Sequence, residues 1–378
     1  MRISLFMLIA SSLFLGSCTT PIDTVLESSD HPAIQKVMDS LENHEIQILY
    51  TQIDTTDKGL IEFTDYTFQE NRKQYFYPAS TVKLPIALLA AEYVNEHPEL
   101  HLDTPYISTR DSILHSVADD IRQIFAVSDN EAYNRLYDML GRDYINKRLK
   151  ELDLSPTRIA HRLSTGNAAI PERGTIKFFP SYEGEVVALK GLTDQPIKNV
   201  SIKNQQKGKG YIKDGNLIQT PFDFTEKNYF PLKSQHTLMK RFFFEDQFDP
   251  DERFDISYTD KVRIQKSMYT LPRNAKYDAE TYDDSYVKFF MYGDSKDTIP
   301  DHIKIYNKVG YAYGTLTETA YVVDEKEEIQ FLLSATILVN ENGIFNDDTY
   351  EYDTIGIPFL AQLGREIYDL EKSRKQEK

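Results

Sequence analysis

Apolar positions along this chain follow two patterns, helical spacing and short β-rich runs, and the order of the two predicts the architecture. Pro32 suits a first helical turn, and Ile34, Val37, Met38 and Leu41 recur behind it at helical spacing. Residues 45–54 and 60–69 are β-rich and flank Lys58-Gly59, which predicts a hairpin. Helical patterns then dominate residues 80–162, a helical lobe with few β-rich runs. Residues 303–306, 317–323 and 329–339 read as three more strands, and Phe359, Leu360, Leu363, Ile367 and Leu370 mark a closing amphipathic helix. Clustered strands without alternating helices predict an α+β fold: an antiparallel five-stranded sheet flanked by N- and C-terminal helices, plus an all-helical lobe.

Residues 174–234 interrupt this order. They contain Asp214-Gly215, a strong hairpin turn signal, and read as an inserted β-hairpin excursion flanking the site. Two helices follow, over residues 238–243 and 260–269, and no internal repeat is evident.

With 378 residues the chain can bury a sizeable core. Its formal net charge of −16 argues against a nucleic-acid partner, whose phosphate backbone requires a basic face. The composition of 25 tyrosines and no tryptophan carries no functional assignment by itself. At the N-terminus, Arg2 precedes an apolar run over residues 3–15, too short to span a membrane comfortably. Leu15-Gly16-Ser17-Cys18 follows and resembles the lipobox of bacterial lipoproteins. That resemblance implies a signal peptide over residues 1–17, lipidation of Cys18, a polar tether over residues 18–30 and a main domain over residues 31–372. Cys18 is the only cysteine, so lipidation leaves no thiol for a disulfide, catalysis or a metal.

Three short motifs carry the chemistry. Ser80-Thr81-Val82-Lys83 opens an apolar helix, and Pro85 places the start of that helix close to Ser80. The i, i+3 spacing then puts the Lys83 amine within reach of the Ser80 hydroxyl. Ser128-Asp129-Asn130 reads as a helix N-cap at a junction, from which Ser128 and Asn130 project into a cleft. Lys308-Val309-Gly310 reads as a strand ending in lysine, with glycine where another backbone approaches. A nucleophile, an amine beside it, a second hydroxyl and a further cation are what attack on an amide carbonyl through a covalent acyl-enzyme needs. A second S-x-x-K copy, Ser285 to Lys288, reads as an ordinary surface segment, and Lys213-Asp214-Gly215 as a turn.

In this order the motifs resemble the penicillin-recognising serine hydrolases, specifically the class A β-lactamase-like family. The strand and helix order agrees as well, over most of residues 32–370. The resemblance implies that Ser80 is the nucleophile and Lys83 its proton acceptor or relay. It implies that Ser128 passes a proton to the leaving nitrogen and that Asn130 holds the substrate's side-chain amide. Lys308 would place positive charge near the substrate carboxylate and Ser128, Gly310 would let the substrate backbone approach, and the backbone N–H groups of Ser80 and Tyr311 would form the oxyanion hole. The substrate implied is a β-lactam or a peptidoglycan-like peptide, at the cell envelope, with no cofactor.

Two departures qualify this. Val309 stands where the family usually carries Thr or Ser, so a hydroxyl for the substrate carboxylate is missing. No E-x-x-L-N run follows Ser128, and Glu172 and Glu183, the nearby acids, read as solvated loop carboxylates. Acylation is therefore better supported than deacylation. The alternatives are a D-Ala-D-Ala-type peptidase, an esterase, a β-lactamase whose deacylating group has moved, or a non-catalytic binding module. The histidines show no metal-ligand spacing, and no nucleotide-binding glycine motif occurs.

Overall fold

The Lys58-Gly59 turn joins two strands, β1 (Gln47–Thr55) and β2 (Ile61–Phe68). The C-terminal strands are β3 (Ile303–Ala312), β4 (Thr315–Asp324) and β5 (Ile329–Leu338). All pairings are antiparallel, in the order β3-β4-β5-β1-β2, which is the expected five-stranded sheet. The protein is described by a computed structural model covering residues 19–376 except 167, 182, 183 and 185. β3 and β4 are joined by Tyr313-Gly314, both left-handed with φ of 53° and 74°, as a two-residue hairpin between right-twisted strands requires. β3 continues through Lys308 to Ala312, so the lysine expected at a strand end lies well inside the strand, which forms one edge of the sheet.

The sheet is covered on both faces. On one, Tyr50, Ile305, Leu316, Phe331 and Leu333 pack with α2 (Pro32–Met38) and α9 (Ile357–Gln376), the predicted terminal helices. The Tyr50 hydroxyl donates to the carboxylate of Glu371, tying α9 to the sheet. On the other face lies the helical lobe: α3 (Lys83–Asn95), α4 (Val117–Val127), α5 (Asn130–Leu140), α6 (Arg142–Glu151), α7 (Leu232–Phe243) and α8 (Tyr258–Tyr269). This face carries buried hydroxyls that satisfy one another, Thr317 with Thr336 at 2.8 Å and Thr319 with Ser334 at 2.6 Å. His236 is held among them by Ser334 and Thr51, and burial pushes it down to about 3, so it is a neutral packing residue.

Two expectations are corrected. The tether ends early, because Pro21–Ser28 forms a helix, α1, closed by a capping box between Thr20 and Asp23. Its Ile22, Val25 and Leu26 fall at helical spacing and are buried against the sheet and α9. Polar residues between those three positions hid an amphipathic helix inside an apparently polar stretch. The interruption over residues 174–234 is likewise not one excursion. Its first part supplies Ile176–Phe178 and Val187–Leu189, which pair with each other and, through Ile176–Phe178 on Tyr106–Ser108, complete a small four-stranded sheet that ends in Leu114–His115. Strands of two or three residues are too short to show an alternation. Its second part holds the hairpin expected at Asp214-Gly215, Gly210–Lys213 with Asn216–Ile218, extended by Ile344–Phe345.

If α1 is part of the core, Ile22→Ala should lower the unfolding free energy by about 2–4 kcal/mol in urea titration. Glu27→Ala, on the exposed side of the same helix, should change it by less than about 0.5 kcal/mol. Equal, negligible effects would mean that the segment is a tether after all.

Candidate active site

Ser80 lies in a 3-10 turn, Ala79–Val82, that runs directly into α3. Pro85 is the third residue of α3, where its missing N–H leaves no hydrogen bond unmade, so the helix begins where the sequence placed it. The turn enters through Ala79, held left-handed at φ 46°, a strained conformation for a residue with a Cβ.

Lys83 follows on the same face and is wholly buried. Its Nζ donates to Ser80 Oγ at 2.9 Å, to Asn130 Oδ1 at 2.7 Å and to Ser128 Oγ at 3.2 Å, and also to the Ser128 carbonyl. No carboxylate forms an ion pair with it among the described residues. Burial pulls the ammonium down to about 7, against a weaker opposing pull from Asp129. The amine is therefore appreciably unprotonated at neutral pH.

Ser128 ends α4 in a left-handed conformation, φ 58°, and the carboxylate of Asp129 caps α5 by accepting from Ala132 N at 2.7 Å. The N-cap reading of this motif is thus correct, and the cap turns Ser128 and Asn130 toward Lys83. Lys308 approaches from β3 and donates to Ser128 Oγ at 2.9 Å and to the Val309 carbonyl at 2.9 Å. The Ser128 hydroxyl is consequently shared by two lysine nitrogens. Burial, then the neighbouring charges of Lys83 and Lys288, hold Lys308 well below the usual lysine range.

Gly310 shows why the edge strand can come so near. A Cβ there would sit 2.6 Å from Pro78 O and 2.7 Å from Ser80 N. Only glycine lets β3 lie against the turn that carries Ser80. Tyr311 follows, 54% exposed, on the wall of the cleft. Val309 is buried in the core beneath the sheet and brings no hydroxyl to the cleft.

The second S-x-x-K copy is not a surface segment. Lys288 is buried, donating to Met268 O at 2.8 Å and to Asn307 Oδ1. Asn307 passes the connection on to Glu318, whose other oxygen accepts from Phe290 N at 2.6 Å. Burial pulls Lys288 down to about 7 and pushes Glu318 up to about 7. The network braces the residue that precedes Lys308 on β3.

The motifs converge on a cleft of about 590 Å³. Leu163 and Ser164 also line it, and Ser164 Oγ accepts from Asn130 Nδ2 at 3.0 Å, a partner the motifs did not disclose. His161 and Arg162 beside them turn inward. His161 is buried and held down to about 4 by desolvation, and Arg162 pairs with Asp138 at 2.6 Å. Glu172 is exposed and does not line the cleft, whereas Cys18 and Glu183 lie outside the described residues. No glutamate lines the cleft among the described residues; its one carboxylate is Asp348, which no motif announced.

Residues 31–178 match the model of the β-lactamase enzyme family, a family of hydrolases. No curated protein sequence matches the chain. Among solved structures, PBP-A is 14% identical with a TM-score of 0.54, over 94% of this chain and 97% of that one. A class A β-lactamase from Bacteroides cellulosilyticus is 13% identical with a TM-score of 0.52, over 94% and 99%. A β-lactamase from Burkholderia ambifaria is 11% identical with a TM-score of 0.52, over 89% and 97%. The chain is β-lactamase-like in family match and in fold. The family match includes Ser80, Lys83, Ser128 and Asn130 and ends before Lys308, which the β-lactamase-like fold brings to them through β3.

Adding a methyl at Gly310 must push β3 and the Ser80 turn apart. Gly310→Ala in this β-lactamase-like protein should cost about 1–3 kcal/mol in urea titration. Gly166→Ala, which meets nothing within 4 Å, should cost under about 1 kcal/mol. A fully stable Gly310→Ala protein would contradict the close approach.

Proposed function

We propose that the chain is a serine hydrolase that forms an acyl-enzyme at Ser80 with a β-lactam or a related amide and releases the acyl group slowly. The observation that carries this is the buried Lys83 amine, 2.9 Å from Ser80 Oγ and held near 7 without a carboxylate partner. In its neutral form Lys83 accepts the Ser80 proton as Oγ attacks the carbonyl carbon. The carbonyl oxygen becomes an oxyanion facing the N–H groups of Ser80 and Tyr311. As the tetrahedral intermediate collapses, the C–N bond breaks and Ser128 gives its proton to the departing nitrogen. Ser128 regains a proton from the ammonium of Lys83, with Lys308 holding the hydroxyl in line. Asn130 exchanges its bond to Ser164 for the substrate amide.

Hydrolysis of the resulting ester needs a base to activate water. Asp348, the one carboxylate lining the cleft among the described residues, makes no hydrogen bond to Ser80, Lys83 or Ser128. This favours a long-lived acyl-enzyme over rapid turnover. A variant of PBP-A, similar in fold to this chain, has been captured as an acyl-enzyme complex with penicillin G. The same reading extends to a D-Ala-D-Ala-type peptidase or an esterase, which share the acylation step.

We further infer that the protein is anchored to the bacterial envelope by lipid at Cys18. Only Thr19 and Thr20 then separate the anchor from α1, a spacer of about 7 Å, so the domain would lie at the membrane surface. Cys18→Ala should move the protein from the membrane to the soluble fraction of cells, and unchanged membrane retention would contradict the anchor.

Intact-mass measurement after incubation with benzylpenicillin tests the central step. One adduct per chain is expected, persisting long after excess ligand is removed, and Ser80→Ala should abolish it. The acylation rate should fall about tenfold per unit as pH drops below about 7, because protonated Lys83 cannot accept a proton, and should level off above. An adduct retained in Ser80→Ala, or none with any β-lactam or activated ester, would defeat the proposal and leave a binding module.

A further inference from the structure

The charges and rings of the cleft describe a ligand more specific than an amide. Six tyrosines line it, Tyr77, Tyr286, Tyr311, Tyr313, Tyr350 and Tyr352, and no arginine does. Three of them form a continuous run from the edge strand outward. Tyr311 and Tyr352 rings lie 5.2 Å apart, and Tyr352 and Tyr350 rings 5.3 Å apart. The hydroxyls fix the run in place, Tyr352 accepting from Gly314 N at 2.8 Å and Tyr350 from Asn346 N at 2.7 Å.

Asp348 lies within the same loop and is the only formally charged side chain among the described lining residues. The neighbouring Asp347 is consumed in holding the loop, accepting from Asn342 Nδ2 at 2.8 Å and from Thr349 N at 3.0 Å. Asp348 has no such task. It is exposed, and among the described residues no lysine, arginine or histidine forms an ion pair with it. A lone carboxylate beside tyrosine faces repels anions and attracts cations, the carboxylate by its charge and the rings by their quadrupoles.

We propose that the Asp348 end of the cleft is a subsite for a primary ammonium group on the substrate. The substrate class is then an acyl compound that carries a free side-chain amine, such as a lysyl peptide, with the amine against Asp348 and the tyrosine run. This rests on the reading of the cleft as the substrate site and adds to it which substrates are preferred.

The test is a binding comparison in the Ser80→Ala chain, where no acylation can intervene. The probes are Nα-acetyl-L-lysyl-D-alanyl-D-alanine with its ε-amine free and the same peptide with that amine acetylated. Calorimetry should give about fivefold tighter binding of the free amine, a preference that shrinks as salt is raised. Asp348→Asn should bring the ratio of the two affinities to about one, and Asp348→Glu should restore most of the preference. Equal affinities in the parent chain, a preference that survives Asp348→Asn, or no binding of either peptide would overturn the proposal. An inert Ser80 would show in the mass experiment and not in this one, so the two readings fail separately.

Discussion

The candidate active site is organised around one buried amine. Taking the Lys83 ammonium out of water without a counter-ion is costly, and the cost is offset by the hydrogen bonds it donates to Ser80, Ser128 and Asn130 rather than by a carboxylate. That choice has a chemical consequence. A carboxylate partner would hold the lysine charged, whereas neutral acceptors leave its affinity for a proton near the ambient pH. The same contacts fix geometry, because the start of α3 and the α4–α5 junction can satisfy Lys83 only when they stand together. Packing of the lobe and placement of Ser80 are therefore one constraint.

The sheet completes the site from the other side. β3 is an edge strand, free to offer its outer side to the cleft, and Gly310 lets it come within a backbone's width of the Ser80 turn. Lys308 then reaches the Ser128 hydroxyl, two residues before the close contact. Behind it, the buried chain from Lys288 through Asn307 to Glu318 joins the 285–290 segment, which forms part of the cleft wall, to β3 and β4. Breaking one end of such a network strands a buried charge, so it resists independent movement of wall and strand. The protein thus surrounds Ser80 with rigid elements on both sides of the cleft.

Much of this was legible in the sequence because it depends on local signals. Pro85 located the start of α3, Ser128-Asp129-Asn130 announced the cap of α5, and Lys58-Gly59 marked the hairpin of β1 and β2. The order of motifs carried the rest of the resemblance. What stayed hidden depends on contacts between distant segments or on elements too short for periodicity. α1 hides three apolar residues among polar ones, and the small sheet of the lobe uses strands of two or three residues. The burial of Lys288 has no signature in Ser285 to Lys288, because its partners Met268 and Asn307 lie 20 and 19 residues away. Ser164, Tyr350 and Asp348 enter the cleft from loops, where nothing in the spacing fixes orientation, and Tyr352 from the π-helical turn that leads into α9.

The proposed function, an acyl bond made readily and broken slowly, has a kinetic signature. The most direct measurement is rapid mixing of the protein with a chromogenic cephalosporin in excess. The expected trace is a burst of one chromophore per protein molecule, followed by a much slower steady rate. A linear trace of fast turnover from the first moment would contradict the account, showing that water at the acyl-enzyme is activated as readily as Ser80 itself.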